Sequence, residues 1–358
     1  MSILWQSTVG QPPRGLVASP GASHLVKVFL VRNWFVLSLP LVAVLALFAP
    51  GLGATGGRFR PEVTGKLAVA LIFILQGWTL PTAALREGAG RWRLHALIQT
   101  VTFVVFPILG IVLDRAIGAT LPPDLRLGFL FLFVLPSTIS MSVVLTTLAG
   151  GNTVGALFNA ALSNLLGVVV TPLWMGWLMK WSGNIQPMGG VIRDVVVLLI
   201  LPLVGGQLLR LRFATWADYH KKALGHTSSC LILFIVFTAF CNSVQQGTWQ
   251  SLPSSWIAGT AIAVASLLVS MIGLVELLSR ALKLDRADRI AASFCAPQKT
   301  VAAGIPLAKA LFGAHPGLGV ILLPLLLYHP LQLMVCGVLA DQFARKPKPN
   351  PPNVRSAP

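Results

Sequence analysis

Ten apolar runs, each close to the length of a bilayer crossing, leave this chain few ways to fold. A helix of about 20 apolar residues covers the hydrocarbon of a membrane. Such runs fall near 33–51, 64–84, 94–114, 126–149, 153–178, 190–210, 227–245, 256–279, 288–312 and 317–340. Of the 358 residues, 55% are hydrophobic and 10% charged, against roughly 45–50% and 25% in soluble domains. The expectation is an all-α, multi-pass protein of the cell (inner) membrane, with the lipid bilayer as its first partner. The net charge of +17 does not imply a nucleic-acid partner. The basic residues lie between the apolar runs, where they orient helices against headgroups.

Two of the runs are interrupted. LPSTISMSVVLTTLAGGN, residues 135–152, places Pro136 ahead of Ser137, Thr138, Ser140 and Ser142; SFCAPQKTVAAGIPLAKALFG, residues 293–313, places Pro297 ahead of Gln298, Lys299 and Thr300. Backbone freed by a proline at membrane depth survives only where protein or water covers it. Two broken segments at matching places in two halves mark the midplane site of a secondary transporter. The helix breaks are therefore set at Pro136 and Pro297, and the seven polar residues beside them are candidate ligands for a solute or an ion. A second reading of the hydroxyls is that they bond back to their own helix carbonyls. Gln99 and Asn159, in neighbouring runs, are either interhelical glue or part of the site. Lys299 costs about 2.5–3.5 kcal/mol at bilayer depth unless it reaches a partner or water, which makes it the sharpest functional candidate. Gln298, Thr300 and the unwound carbonyls of the break are its expected acceptors.

The halves repeat. Leu39-Pro40-Leu41-Val42 returns 162 positions on as Leu201-Pro202-Leu203-Val204, Pro136 returns as Pro297, and Pro172-Leu173 as Pro330-Leu331. Five spans in each half force the second half to enter from the opposite side, so the repeat is inverted, with spans four and nine as the broken pair. The expected organisation is an N-terminal arm over 1–32, a first five-helix repeat over 33–178, a second over 190–340 and a disordered tail over 341–358. The arm, the tail and the even-numbered loops carry 18 Lys and Arg against 8 in the odd-numbered loops. That bias puts both termini in the cytoplasm.

The two broken motifs, with TVGALFNAALSNLLGVVVTPL between them, resemble the sodium/bile acid symporter superfamily over about residues 30–342. Within it, the chain is most similar to the branch holding the seventh member of solute carrier family 10 and its bacterial relatives. The resemblance implies a core domain of spans three to five and eight to ten, with spans four and nine crossing at their breaks. Spans one, two, six and seven would form a panel domain. It also implies alternating access and carriage of organic anions, coupled to sodium in the bile acid branch. The family's sodium-site glutamine matches Gln99 and a hydroxyl ligand matches Ser142, so a sodium ion is expected near these two. Val143, Ala156 and Ala160 stand where further ligands belong, and Gln298, Lys299 and Thr300 replace the acidic pattern of span nine. Lys299 then reads as a tethered ammonium in a cation's place, with proton-coupled or sodium-independent transport.

No phosphate loop, HExxH or GxSxG pattern occurs, so nothing in the sequence signals an ATP-driven pump or a membrane hydrolase. Four cysteines without paired spacing read as core residues, and no cofactor is expected beyond a coupling sodium ion or proton. The function read from the sequence is a secondary carrier of a small organic, anionic solute. The alternative is a membrane regulator of calcium homeostasis that acts through a protein partner rather than by flux.

Overall fold

The computed structural model describes residues 34–80, 90–181, 193, 195–250, 252–313 and 315–345. The N-terminal arm, residues 182–189 of the expected connection between the halves, and the tail beyond 345 lie outside the described residues. Every regular element among those described is helical; besides a single turn at Pro50–Gly53 they are α1 (Trp34–Phe48), α2 (Pro61–Thr79), α3 (Trp92–Thr120), α4 (Pro123–Val134), α5 (Ser140–Leu148), α6 (Thr153–Trp181), α7 (Val196–Tyr219), α8 (Lys221–Gln245), α9 (Ser254–Ala281), α10 (Arg286–Cys295), α11 (Val301–Phe312) and α12 (Leu318–Arg345). Six of them, α3, α6, α7, α8, α9 and α12, are long and apolar enough by length and composition to cross a membrane. The protein is thus a multi-pass membrane protein.

Packing sorts the helices into two groups. α1, α2, α7 and α8 associate with one another, while α4 packs on α3 and α12, α9 on α12, and α5 and α6 on α10. The closest approach in the first group is through glycine. A β-carbon on Gly77 would collide with the Leu203 carbonyl, and one on Gly206 with that of Ile74. α2 and α7 can therefore meet backbone to backbone, the usual basis of helix association where lipid removes the hydrophobic driving force. Between the groups, α8 lies against α11 and α12, and α2 against α11.

Three expectations need correction. The polar stretch between the sixth and seventh runs is helical, with α7 reaching Tyr219 through a kink at Phe213 (φ −124°, ψ 33°) and α8 starting at Lys221. Arg210 bridges the kink to Asp218 at 3.1 Å, so a polar sequence still closes a helix. At the far end α12 continues past residue 340 to Arg345, where Asp341 and Arg345 pair at 2.8 Å one turn apart. Cys230 is exposed rather than a core residue, whereas Cys241, Cys295 and Cys336 are buried.

Candidate functional site

Both interrupted runs break as their prolines require. α4 stops at Val134, residues 135–139 are not helical, and α5 begins at Ser140. α10 stops at Cys295 and α11 begins at Val301, with the Thr300 side chain capping it by accepting from the Ala303 amide at 3.3 Å. The breaks cross and bond to each other. The Thr300 amide donates to the Pro136 carbonyl at 3.1 Å, and the Ser137 hydroxyl donates to the Cys295 carbonyl. α6 supports the first break from behind: Ser163 Oγ accepts from the Ser137 amide at 3.0 Å, and Asn164 donates to the Ser137 carbonyl at 2.8 Å. A β-carbon at Gly167 would fall 2.5 Å from the Pro136 ring, so glycine there is what admits the proline.

Lys299 is wholly buried in this crossing. Its Nζ donates to the carbonyls of Leu135 at 2.7 Å and Phe133 at 3.3 Å, and lies 3.8 Å from the centre of the Phe106 ring. Those carbonyls belong to the C-terminal turn of α4, where a helix leaves its acceptors unpaired and carries partial negative charge. The ring face adds a third attraction for a cation. Backbone carbonyls were among the acceptors expected from sequence, but these belong to the other break, and the neighbouring side chains of Gln298 and Thr300 take no part. Gln298 Oε1 instead accepts from Ser142 Oγ at 3.1 Å, and Thr300 Oγ1 is spent on its cap.

The hydroxyls divide between the two readings. Ser142, fully buried, bonds back to the Thr138 carbonyl at 2.7 Å, and Thr146 and Thr147 do the same one turn further on. Ser140 is exposed and, with Thr138 and Thr300, lines a cavity. Gln99 donates to Asn159 Oδ1 and to its carbonyl, both at 3.2 Å, and Asn159 Nδ2 lies 2.9 Å from His95 Nδ1. This is glue between α3 and α6. Two buried oxygens on the same face of α3, Gln99 Oε1 and Thr102 Oγ1, have no hydrogen-bond partner among the described residues, and neither has Gln298 Nε2.

The cavity has two lobes, of about 350 and 400 Å³, which share Gln76, Thr79, Ser140 and Lys221. One wall is the first break and the start of α11; the other is the end of α2 and the start of α8. Gln76 bridges the walls by donating to the Ala302 carbonyl at 3.1 Å. Lys221 and His329 both line it. Neither carries a signal that sequence periodicity could have raised. No carboxylate occurs among the described lining residues of either lobe. A separate apolar groove of about 260 Å³ among α3, α4 and α9 holds the Asp114–Arg126 ion pair and does not reach the breaks.

Outside the spans, Arg91 donates to Asp285 at 2.7 Å and to Asp288 at 3.1 Å, tying the entry of α3 to the N-terminus of α10. Partial burial pushes the Asp285 carboxyl up, but the Asp288 amide and the Arg91 guanidinium outweigh it and hold it below the usual range. Glu276 pairs with Arg280 at 2.8 Å, one turn away, and with Arg289.

Two neighbouring helix breaks that bond to each other beside a shared cavity fit the architecture of a membrane carrier. The sequence profile of the SBF-like CPA transporter family matches residues 33–345, and the chain belongs to that family. It is similar to the uncharacterized protein PA2026 of Pseudomonas aeruginosa, with 38% identity over 318 residues, 89% of this chain and 94% of the relative. YfeH of Escherichia coli (strain K12), provisionally named a symporter, is 35% identical over 324 residues, 90% of this chain and 96% of its own. Sodium/bile acid cotransporter 7 of Danio rerio is 31% identical over 312 residues, 86% and 92% of the two chains.

Proposed function

We propose that the protein is a secondary carrier of a small organic anion, working by alternating access about the crossed breaks. The observation that carries this reading is the cavity. It holds Lys221 and no described carboxylate, and Ser140 opens a half-helix that has no side-chain cap. The unpaired amides and positive dipole end of such a helix favour an anion. In this reading the helix pairs α4/α5 and α10/α11 are each one broken span, which makes ten spans in two inverted five-helix repeats. The cavity mouth, at the end of α2 and the start of α8, then faces the cytoplasm with both termini.

Lys299 serves as the resident cation of the crossing, so the cycle needs no sodium at this seat and runs on proton exchange or on solute exchange alone. A second reading has a specific observation behind it. Gln99 Oε1 and Thr102 Oγ1, buried and unpartnered on α3, suit a sodium ion, which takes oxygen ligands.

Purified protein in liposomes, offered small carboxylates and phosphate esters under sodium, proton and exchange gradients, tests the function. Uptake that is independent of sodium supports the resident-cation form, and uptake that requires sodium moves the coupling to Gln99 and Thr102. No flux of any anion, with a protein partner retained through purification, would replace the carrier by the regulator reading.

A further inference from the structure

The amide of Gln332 settles where a histidine proton sits. A backbone N–H can only donate, so the Gln332 atom 2.8 Å from the Lys299 amide is its oxygen. The other Gln332 atom is therefore the NH₂ group, which donates to the Lys299 carbonyl at 2.9 Å and lies 2.9 Å from His329 Nδ1. Facing a donor, Nδ1 must accept, and the ring proton of the neutral imidazole resides on Nε2. Beyond Gln332, the ring's one recorded contact among the described residues is with the Lys299 carbonyl, to which the same Gln332 amide donates. His329 is only 8% exposed, and it lines the larger lobe of the cavity beside Thr138 and Thr300.

We infer that His329 is a solute-binding residue, presenting Nε2–H to an anionic oxygen of the solute, and that Gln332 is the positioning residue that holds this tautomer. The inference rests on the carrier reading and deepens it. It assigns the ligand class as an acid in its ionised form, carboxylate or phosphate, because a group that is itself a donor gains nothing from a fixed N–H. Gln332 also joins the binding residue to the crossing, since it grips both backbone groups of Lys299. A movement of the second break would then turn the histidine with it.

The test combines tautomer spectroscopy with transport, using full-length protein. With ¹⁵N-labelled histidine, the His329 signal is found by its loss in His329→Asn. It should report the Nε2–H form in the wild type and lose that preference in Gln332→Glu, which keeps the oxygen for the Lys299 amide and removes the NH₂ donor. Those carboxylates or phosphate esters that the wild type carries should shift the Nε2 signal. His329→Phe should raise their KM about ten- to a hundredfold, the loss expected of a hydrogen bond to a charged group, and His329→Gln should recover part of it. An Nδ1–H form, or an Nε2 signal unmoved by every transported anion, would overturn the assignment while flux itself stands. Absence of all flux would instead remove the carrier reading on which it rests. Should His329→Phe fail to fold, the wild-type spectra alone decide.

Discussion

The two breaks hold equivalent positions and do different work. At the offset of 161 that relates Pro136 to Pro297, Ser137 corresponds to Gln298 and Val134 to Cys295. The bonds between the breaks run both ways, though not between corresponding residues: Lys299 donates to the Phe133 and Leu135 carbonyls, and Ser137 to that of Cys295. Each break thus caps the carbonyl end of the other's first half-helix, one with an ammonium and one with a hydroxyl. Their second half-helices differ in the opposite sense. α11 is capped by Thr300 behind a fully buried segment, whereas α5 has no side-chain cap and starts at exposed Ser140. The break that carries its own cation is buried through Lys299 and meets the cavity only at Thr300 and the start of α11, whereas the break without one opens to it at exposed Ser140.

The largest effect should come from removing the ammonium. Lys299→Met leaves two buried carbonyls without a donor, at about 1–3 kcal/mol each, while Ser137→Ala leaves one. The melting temperature of the purified protein should therefore fall markedly further for Lys299→Met, and equal losses would erase the difference between the arms. Next in size is solvent access. In a Cys230→Ser background, a cysteine at 140 should react with a small water-soluble thiol reagent at least tenfold faster than one at 142, whose serine is fully buried. The order of magnitude follows from the exposed state such attack requires. A cysteine at 300 should fall between them. Reaction at 142 as fast as at 140 would mean that the first break opens more deeply than the structure shows.

The smallest effect lies at the membrane face. Because the folded Asp285 carboxyl titrates below its ordinary value, it adds stability that is fully present above that value and is lost as pH falls through the folded pKa. Arg91→Ala should reduce this contribution only slightly, since the pair is half exposed. Melting curves of the two proteins should differ at neutral pH and converge in acid. A gap that widened in acid would show that Arg91 acts through something other than these carboxylates.

Sequence by itself determined the class of molecule, the two breaks and the residues that flank them. The first follows from the length of apolar runs and the rest from the demand that a proline in lipid be covered, both local or periodic properties of the chain. The buried lysine was legible for the same reason, because its cost is written in its position. Its partners were not. Gln298 and Thr300 are adjacent in sequence, but the acceptors are carbonyls 164 and 166 residues away, brought there by the crossing. Tertiary structure alone decided which hydroxyls face the cavity and which fold back on their own helix, since Ser140 and Ser142 differ by two positions and end on different faces. It alone also brought Lys221 and His329 to one cavity from opposite ends of the second half. Neither residue has a neighbour in sequence that names its role, because a cavity is a property of how helices pack and not of any one of them.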